Sequence, residues 1–220
     1  MDSEQVTIGL GEHSYTVDAV FHLFNTGRTT SEWVGFPKPG YVSVGPLSVE
    51  PLPFIRFNAW VDDMKIEFKE DGGDASNAGI VRRALDAYSS AKNFLGLSRP
   101  SVHETLSQNG LRVAWLVHHV EFSGHTRTTI RISYEGHYSP NHRPYEAAYY
   151  IVGTGRYWKN SIRKAVFIID TRGVGGTENI RVGFPVAPGP RLIADSLVRF
   201  EIKDVEPWPA ADLTIEILPH

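Results

Sequence analysis

Apolar and polar residues alternate with period two through most of this chain, which confines it to a fold built from strands. Between Tyr15 and Phe24 the odd positions Tyr15, Val17, Ala19, Phe21 and Leu23 are apolar, whereas Thr16, Asp18 and His22 take the other parity. Successive side chains of a strand point to opposite faces, so such a run offers one face to a core and one to water. The pattern recurs in Ile55, Phe57, Ala59 and Val61, and in Ile130, Ile132 and Tyr134 against Arg127, Thr129, Arg131 and Glu135. It recurs again in Val198, Phe200 and Ile202 against Arg199, Glu201 and Lys203, and in Leu213, Ile215 and Ile217. Further strands are expected over 145–152, 163–170 and 179–182. Asn25-Thr26-Gly27 supplies turn chemistry, and Asp62-Asp63 predicts a tight turn into Met64, Ile66 and Phe68. Residues 111–122 and 126–137 read as the arms of one long antiparallel hairpin around Ser123-Gly124-His125. In its first arm Trp115 and Val117 share one parity and Leu116, Val120 and Phe122 the other, which points to a bulge or to burial on both faces.

One segment departs from this period. After a polar break over 71–79, Ile80, Ala84, Leu85, Tyr88, Ala91 and Leu95 fall at spacings of three to four, as on one side of a helix. Ser76 or Asn77 is placed to cap its start and Gly96 to end it. The expected fold is therefore all-β: an antiparallel β-sandwich with one inserted α-helix. The 220 residues form a single unit over 1–220, with two possible sandwich-like lobes, 1–74 and 97–220, joined by helix 76–95. Val34-Gly35-Phe36-Pro37 is echoed by Val182-Gly183-Phe184-Pro185. A duplicated sandwich would explain the echo, but chance identity between Gly/Pro-rich stretches is the favoured reading.

Composition removes several functional classes. There is no cysteine, so disulfides, thiolate metal sites and a cysteine nucleophile are excluded. The net charge of −3 is spread along the chain without the basic run of a nucleic-acid binder. The acidic start Met1-Asp2-Ser3-Glu4 lacks the form of a signal peptide. The longest apolar stretches are too short to span a bilayer.

The residues that carry chemistry are weighed one class at a time. Five histidines fall between 118 and 142, but His118 and His119 are strand neighbours with opposed side chains, and the hairpin register sets His118 against Arg131. His137 and His142 flank a Ser-Pro-Asn turn without a local acidic partner, so no metal and no cofactor are expected. No Gly-x-Ser-x-Gly elbow or His-Glu-x-x-His occurs. Gly173-Val174-Gly175-Gly176 follows a strand as a phosphate loop does, but the next residues read as another strand and not as the helix such a loop requires. Aromatic residues are the remaining group: Trp33, Trp60, Trp115, Trp158 and Trp208 accompany nine tyrosines. Trp60 shares the outward parity of its strand with Arg56 and Asn58. His137, Tyr138, His142, Arg156, Tyr157 and Trp158 gather near Pro140, Gly153 and Gly155, where loops on a rigid sheet place binding residues.

Several segments together resemble a family of bacterial exported β-rich proteins with no assigned activity. They are Asn25, Val34-Gly35-Phe36-Pro37, Trp60-Val61-Asp62-Asp63, Trp115 with Val120-Glu121-Phe122, Ile130-Arg131-Ile132-Ser133-Tyr134, Tyr150-Ile151-Val152-Gly153-Thr154-Gly155-Arg156-Tyr157-Trp158, Glu206-Pro207 and Asp212-Leu213. The resemblance implies a periplasmic or extracellular domain and supplies no functional residues; without a leader in the sequence, a cytoplasmic location is the alternative. The function expected from these readings is a non-enzymatic binding or structural module that recognises a protein or carbohydrate partner at a bacterial envelope. The alternative is a hydrolase acting on envelope glycans or peptides.

Overall fold

The computed structural model describes residues 1–37, 41–45, 48–51, 53–71, 115–139, 146–152, 161–183, 191–205 and 212–218. In chain order its strands are β1 (Ser3–Leu10), β2 (Ser14–Phe24), β3 (Thr30–Pro37), β4 (Tyr41–Gly45), β5 (Ser48–Pro51), β6 (Phe54–Val61), β7 (Met64–Ile66) and β8 (Lys69–Asp71). After these come β9 (Trp115–Phe122), β10 (Arg127–His137), β11 (Glu146–Ile151), β12 (Ile162–Asp170), β13 (Ile180–Gly183), β14 (Arg191–Ala194), β15 (Leu197–Val205) and β16 (Asp212–Ile217). Two short 3-10 turns, Arg172–Val174 and Thr177–Asn179, link β12 to β13 where the glycine-rich stretch lies.

The alternation becomes the two faces of an eight-stranded sheet ordered β14-β15-β12-β1-β2-β10-β6-β7. Its neighbours are antiparallel except for β1 and β12, which run parallel. A parallel pair needs a long connection, and most of the chain lies between these two strands. The inward face carries Val6, Ile8, Tyr15, Val17, Ala19, Ile130, Ile132, Tyr134, Phe167, Ile169, Phe200 and Ile202, all buried. Two three-stranded sheets, β3-β9-β8 and β11-β16-β13, cover it as a second layer. Phe36 of β3 packs on Tyr134 and Phe57, and Tyr150 of β11 meets Phe167 edge-on, so a single core fills the space between the layers. Among the described residues, β4 and β5 pair only with each other.

The long hairpin is not formed. β9 pairs with β3 and β8 in the second layer, whereas β10 pairs with β2 and β6 in the large sheet. The chain passes between layers at 123–126, where His125 adopts a positive φ of 55°. The apolar faces of the two arms therefore meet across the core and not side by side. The puzzling parity of the first arm resolves without a bulge: Leu116, Val120 and Phe122 are buried, and His119 and Glu121 are exposed. His118 stands opposite Val34, not Arg131, and its Nδ1 lies 2.8 Å from the Glu67 carbonyl. The second arm behaves as its parity requires, with Ile130, Ile132 and Tyr134 inside and Arg131 exposed.

The Asp62-Asp63 turn joins β6 to β7 with φ of 47° and 67°, the left-handed conformation that a two-residue hairpin turn demands. Helix 76–95 lies outside the described residues. Strands from 1–74 and 97–220 interleave in the large sheet, β10 sitting between β2 and β6 and β12 beside β1. The two copies of Val-Gly fall in different second-layer sheets, Val34-Gly35 in β3 and Val182-Gly183 in β13.

Candidate functional site

The outward face of β2, β10 and β6 gathers the polar residues that the alternation excluded from the core. Cross-strand register sets Trp60 beside Arg131, Ser133 between Asn58 and Asp18, and Arg56 beside Glu135. Arg131 donates to the Asp18 carboxylate through Nε at 3.1 Å and Nη2 at 2.6 Å, with its guanidinium 5.1 Å from the Trp60 ring centroid. Arg56 donates to Glu135 at 2.7 Å, and the Ser14 hydroxyl donates to the same carboxylate at 2.8 Å. The Ser14 hydrogen bond and the Arg56 guanidinium hold the Glu135 carboxyl below its ordinary pKa. Further along the sheet Glu201 accepts from Arg199 at 2.8 Å and lies 3.4 Å from Lys203 and 3.5 Å from Lys164. These groups are committed to one another, and exposed pairs of this kind contribute little each to stability. The face is a polar ladder.

The outer face of β3 and β9 differs. Trp33 is 37% exposed and stands directly opposite His119, with ring centroids 5.1 Å apart. Along β3 its same-face neighbours are Ser31 and Gly35, so no bulky side chain of this strand flanks the indole. Glu121, opposite Ser31, adds an exposed carboxylate beside His119. The buried neighbours Val34 and Phe36 fix the strand that presents this ring. An amphipathic ring on a rigid sheet, rimmed by an imidazole and a carboxylate, can stack against the C–H face of a sugar while the rim hydrogen-bonds its hydroxyls.

A third cluster lies inside. Glu4 is 3% exposed on the core face of β1, and the Tyr150 hydroxyl donates to its Oε1 at 2.5 Å. Burial pushes the Glu4 carboxyl up to about 7 against the opposing effect of the Tyr150 hydrogen bond. Tyr15 donates to the Tyr149 carbonyl at 3.3 Å, and the buried Tyr134 hydroxyl has no hydrogen-bond partner among the described residues. This group joins the two layers and is closed to a dissolved substrate.

Of the residues singled out from the sequence, His137 is exposed at the end of β10, on the same face as Glu135 and Arg131. Tyr138 turns inward, its ring 5.6 Å from Tyr15 and its hydroxyl donating to the Gly11 carbonyl at 2.7 Å. His142, Arg156, Tyr157 and Trp158 lie outside the described residues. Trp33 and His119 were not paired from the sequence because Gly35 and Pro37 interrupt the alternation that would mark β3. Among the described residues no three of His, Asp or Glu are grouped to hold a metal ion, and no helix is long and apolar enough to cross a membrane.

The two-layer arrangement is shared with a solved bacterial protein. A crystal structure from Legionella pneumophila subsp. pneumophila, of a protein named "putative nutrient binding protein", superposes with a TM-score of 0.64 at 16% identity. The match covers 99% of this chain and 66% of that one, so this chain spans slightly less than two thirds of its length. At this identity the likeness establishes the fold. No family model matches the sequence, and no curated protein matches it.

Proposed function

We propose that this chain is a non-enzymatic binding module of a bacterial cell envelope that recognises a glycan through surface aromatic residues. The observation that carries the reading is the exposed Trp33 indole, paired with His119 and flanked along its strand by Ser31 and Gly35. The nutrient-binding name of the Legionella protein and its shared fold accord with a binding role. A second recognition surface is proposed where the sequence places His137, Tyr138, His142, Arg156, Tyr157 and Trp158. Its support is that His137 is exposed, with Tyr138 anchoring the chain beneath it.

Titration of the protein with soluble peptidoglycan fragments, followed by tryptophan fluorescence and calorimetry, separates the two surfaces. Trp33→Ala is expected to weaken saturable binding by about tenfold or more, the scale of one lost aromatic contact, with the thermal midpoint nearly unchanged. If Trp158→Ala has that effect and Trp33→Ala has none, recognition lies at the 137–158 surface. Binding indifferent to both substitutions, or absent from the wild type, overturns the glycan reading.

A further inference from the structure

The large sheet ends at β14, a four-residue edge strand whose side chains are all exposed. Leu192 is 62% exposed and Ile193 53%, an apolar pair beside a row of backbone groups that no strand among the described residues covers on the outer side. Such an edge is a template for another strand unless charge or a bulge blunts it. A register shift at Ile193 is present here, between Leu192↔Val198 and Ala194↔Leu197. The charges, however, are arranged to attract a partner. Arg191 faces Arg199 across the β14–β15 ladder, an unfavourable like-charge pair, and only Arg199 of the two has an acidic neighbour, Glu201 at 2.8 Å. Asp195, the first residue of the turn that follows the strand, is exposed and belongs to no ion pair among the described residues.

We propose that β14 is a self-association edge whose occupant is β14 of a second copy of this chain, paired antiparallel about a two-fold axis at Ile193. The segment Arg191-Leu192-Ile193-Ala194-Asp195 is charge-antisymmetric about its centre. In that register Arg191 of each copy stands opposite Asp195 of the other, Leu192 opposite Ala194, and Ile193 opposite itself. Two ion pairs then neutralise the Arg191 charges, which no acidic group among the described residues compensates, and the central residues bury their exposed apolar surface. A two-fold contact is self-complementary by construction, so one strand supplies both halves. The large sheets of both copies become one. An edge this short buries much less than a standard interface, so the dimer is weak and depends on concentration.

Sedimentation velocity from micromolar to millimolar protein tests this, with circular dichroism to verify the fold of each variant. The wild type is expected to show a monomer–dimer equilibrium, and Ile193→Lys to remain monomeric. Arg191→Asp and Asp195→Arg are each expected to weaken association by about tenfold, and the double substitution to restore it, because the charges are exchanged and not removed. Met64→Lys, on the opposite edge of the sheet, should leave the equilibrium unchanged. A wild type that stays monomeric at millimolar concentration overturns the proposal. So does a dimer unmoved by Ile193→Lys, one lost through Met64→Lys, or a double exchange no tighter than either single substitution.

Discussion

Glu4 shows how one residue sets the pH response of a sandwich. It takes the parity of Val6, Ile8 and Leu10, so the pattern that builds β1 also drives its carboxyl into the core. A charge there has lost its water, so the protonated acid is the favoured form, and the pKa moves from an ordinary 4.5 to about 7. The folded state thus holds this proton more tightly than the unfolded chain. The resulting stability is fully present below pH 4.5 and is lost as pH rises through about 7. With each pKa unit equal to about 1.4 kcal/mol, the change across that window is about 3 kcal/mol. Glu4→Gln keeps an oxygen that accepts from Tyr150 and removes the titration. Urea midpoints from pH 4 to 8 should therefore fall for the wild type relative to the Gln variant. Parallel pH profiles for the two proteins would show that Glu4 does not ionise in this range.

At the scale of elements, the chain passages between layers are the joints of the fold, and Asn25 holds two of them together. Its side-chain amide donates to the Arg28 carbonyl at 2.8 Å and the Phe122 carbonyl at 2.9 Å, and its Oδ1 accepts from the Gly27 amide at 2.9 Å. The first and third contacts shape the passage from β2 to β3; the second reaches across to the passage from β9 to β10. The Thr29 hydroxyl reinforces the joint by accepting from the Gly124 amide at 3.0 Å. Asn25→Ala is expected to cost about 1–3 kcal/mol, because it removes several hydrogen bonds at once, the one to the Phe122 carbonyl part-buried. Equilibrium denaturation measures it, and a loss below about half a kcal/mol would mean that the passages hold without the clamp. From the sequence Asn25-Thr26-Gly27 was legible as a turn. Its partners at 122–123 were not, because a polar side chain does not announce which distant carbonyls it will meet.

Across the whole molecule, the order of strands in the large sheet joins the beginning of the chain to its end. β1 lies between β2 and β12, and β10 lies between β2 and β6, so neither half of the chain owns the large sheet. Buried apolar residues of both layers, from Val6 and Ile132 to Val34, Tyr150 and Ile215, belong to one cluster. Unfolding is therefore expected to follow a single cooperative transition, with tryptophan fluorescence and far-ultraviolet circular dichroism giving superimposable curves. Two separated transitions would mean that 1–74 and 97–220 fold as independent lobes.

Strand identity follows from alternation alone. The parity of Tyr15 to Leu23, of Ile130 to Tyr134 and of Val198 to Ile202 is a local property of the chain, and each strand buries the face its parity marks. Turn chemistry is local in the same way, which is why Asp62-Asp63 closes the hairpin expected of it. Pairing is not local. β9 and β10 are adjacent in sequence and both amphipathic, and alternation is satisfied equally by two strands side by side or by two facing each other across a core. The choice was made by the partners available to each, β3 and β8 for one and β2 and β6 for the other, since burying both apolar faces against each other removes more surface from water than leaving either exposed. The same reason explains the surface: Trp33 meets His119 only because β3 and β9 pair in that register, a juxtaposition that exists in no stretch of sequence.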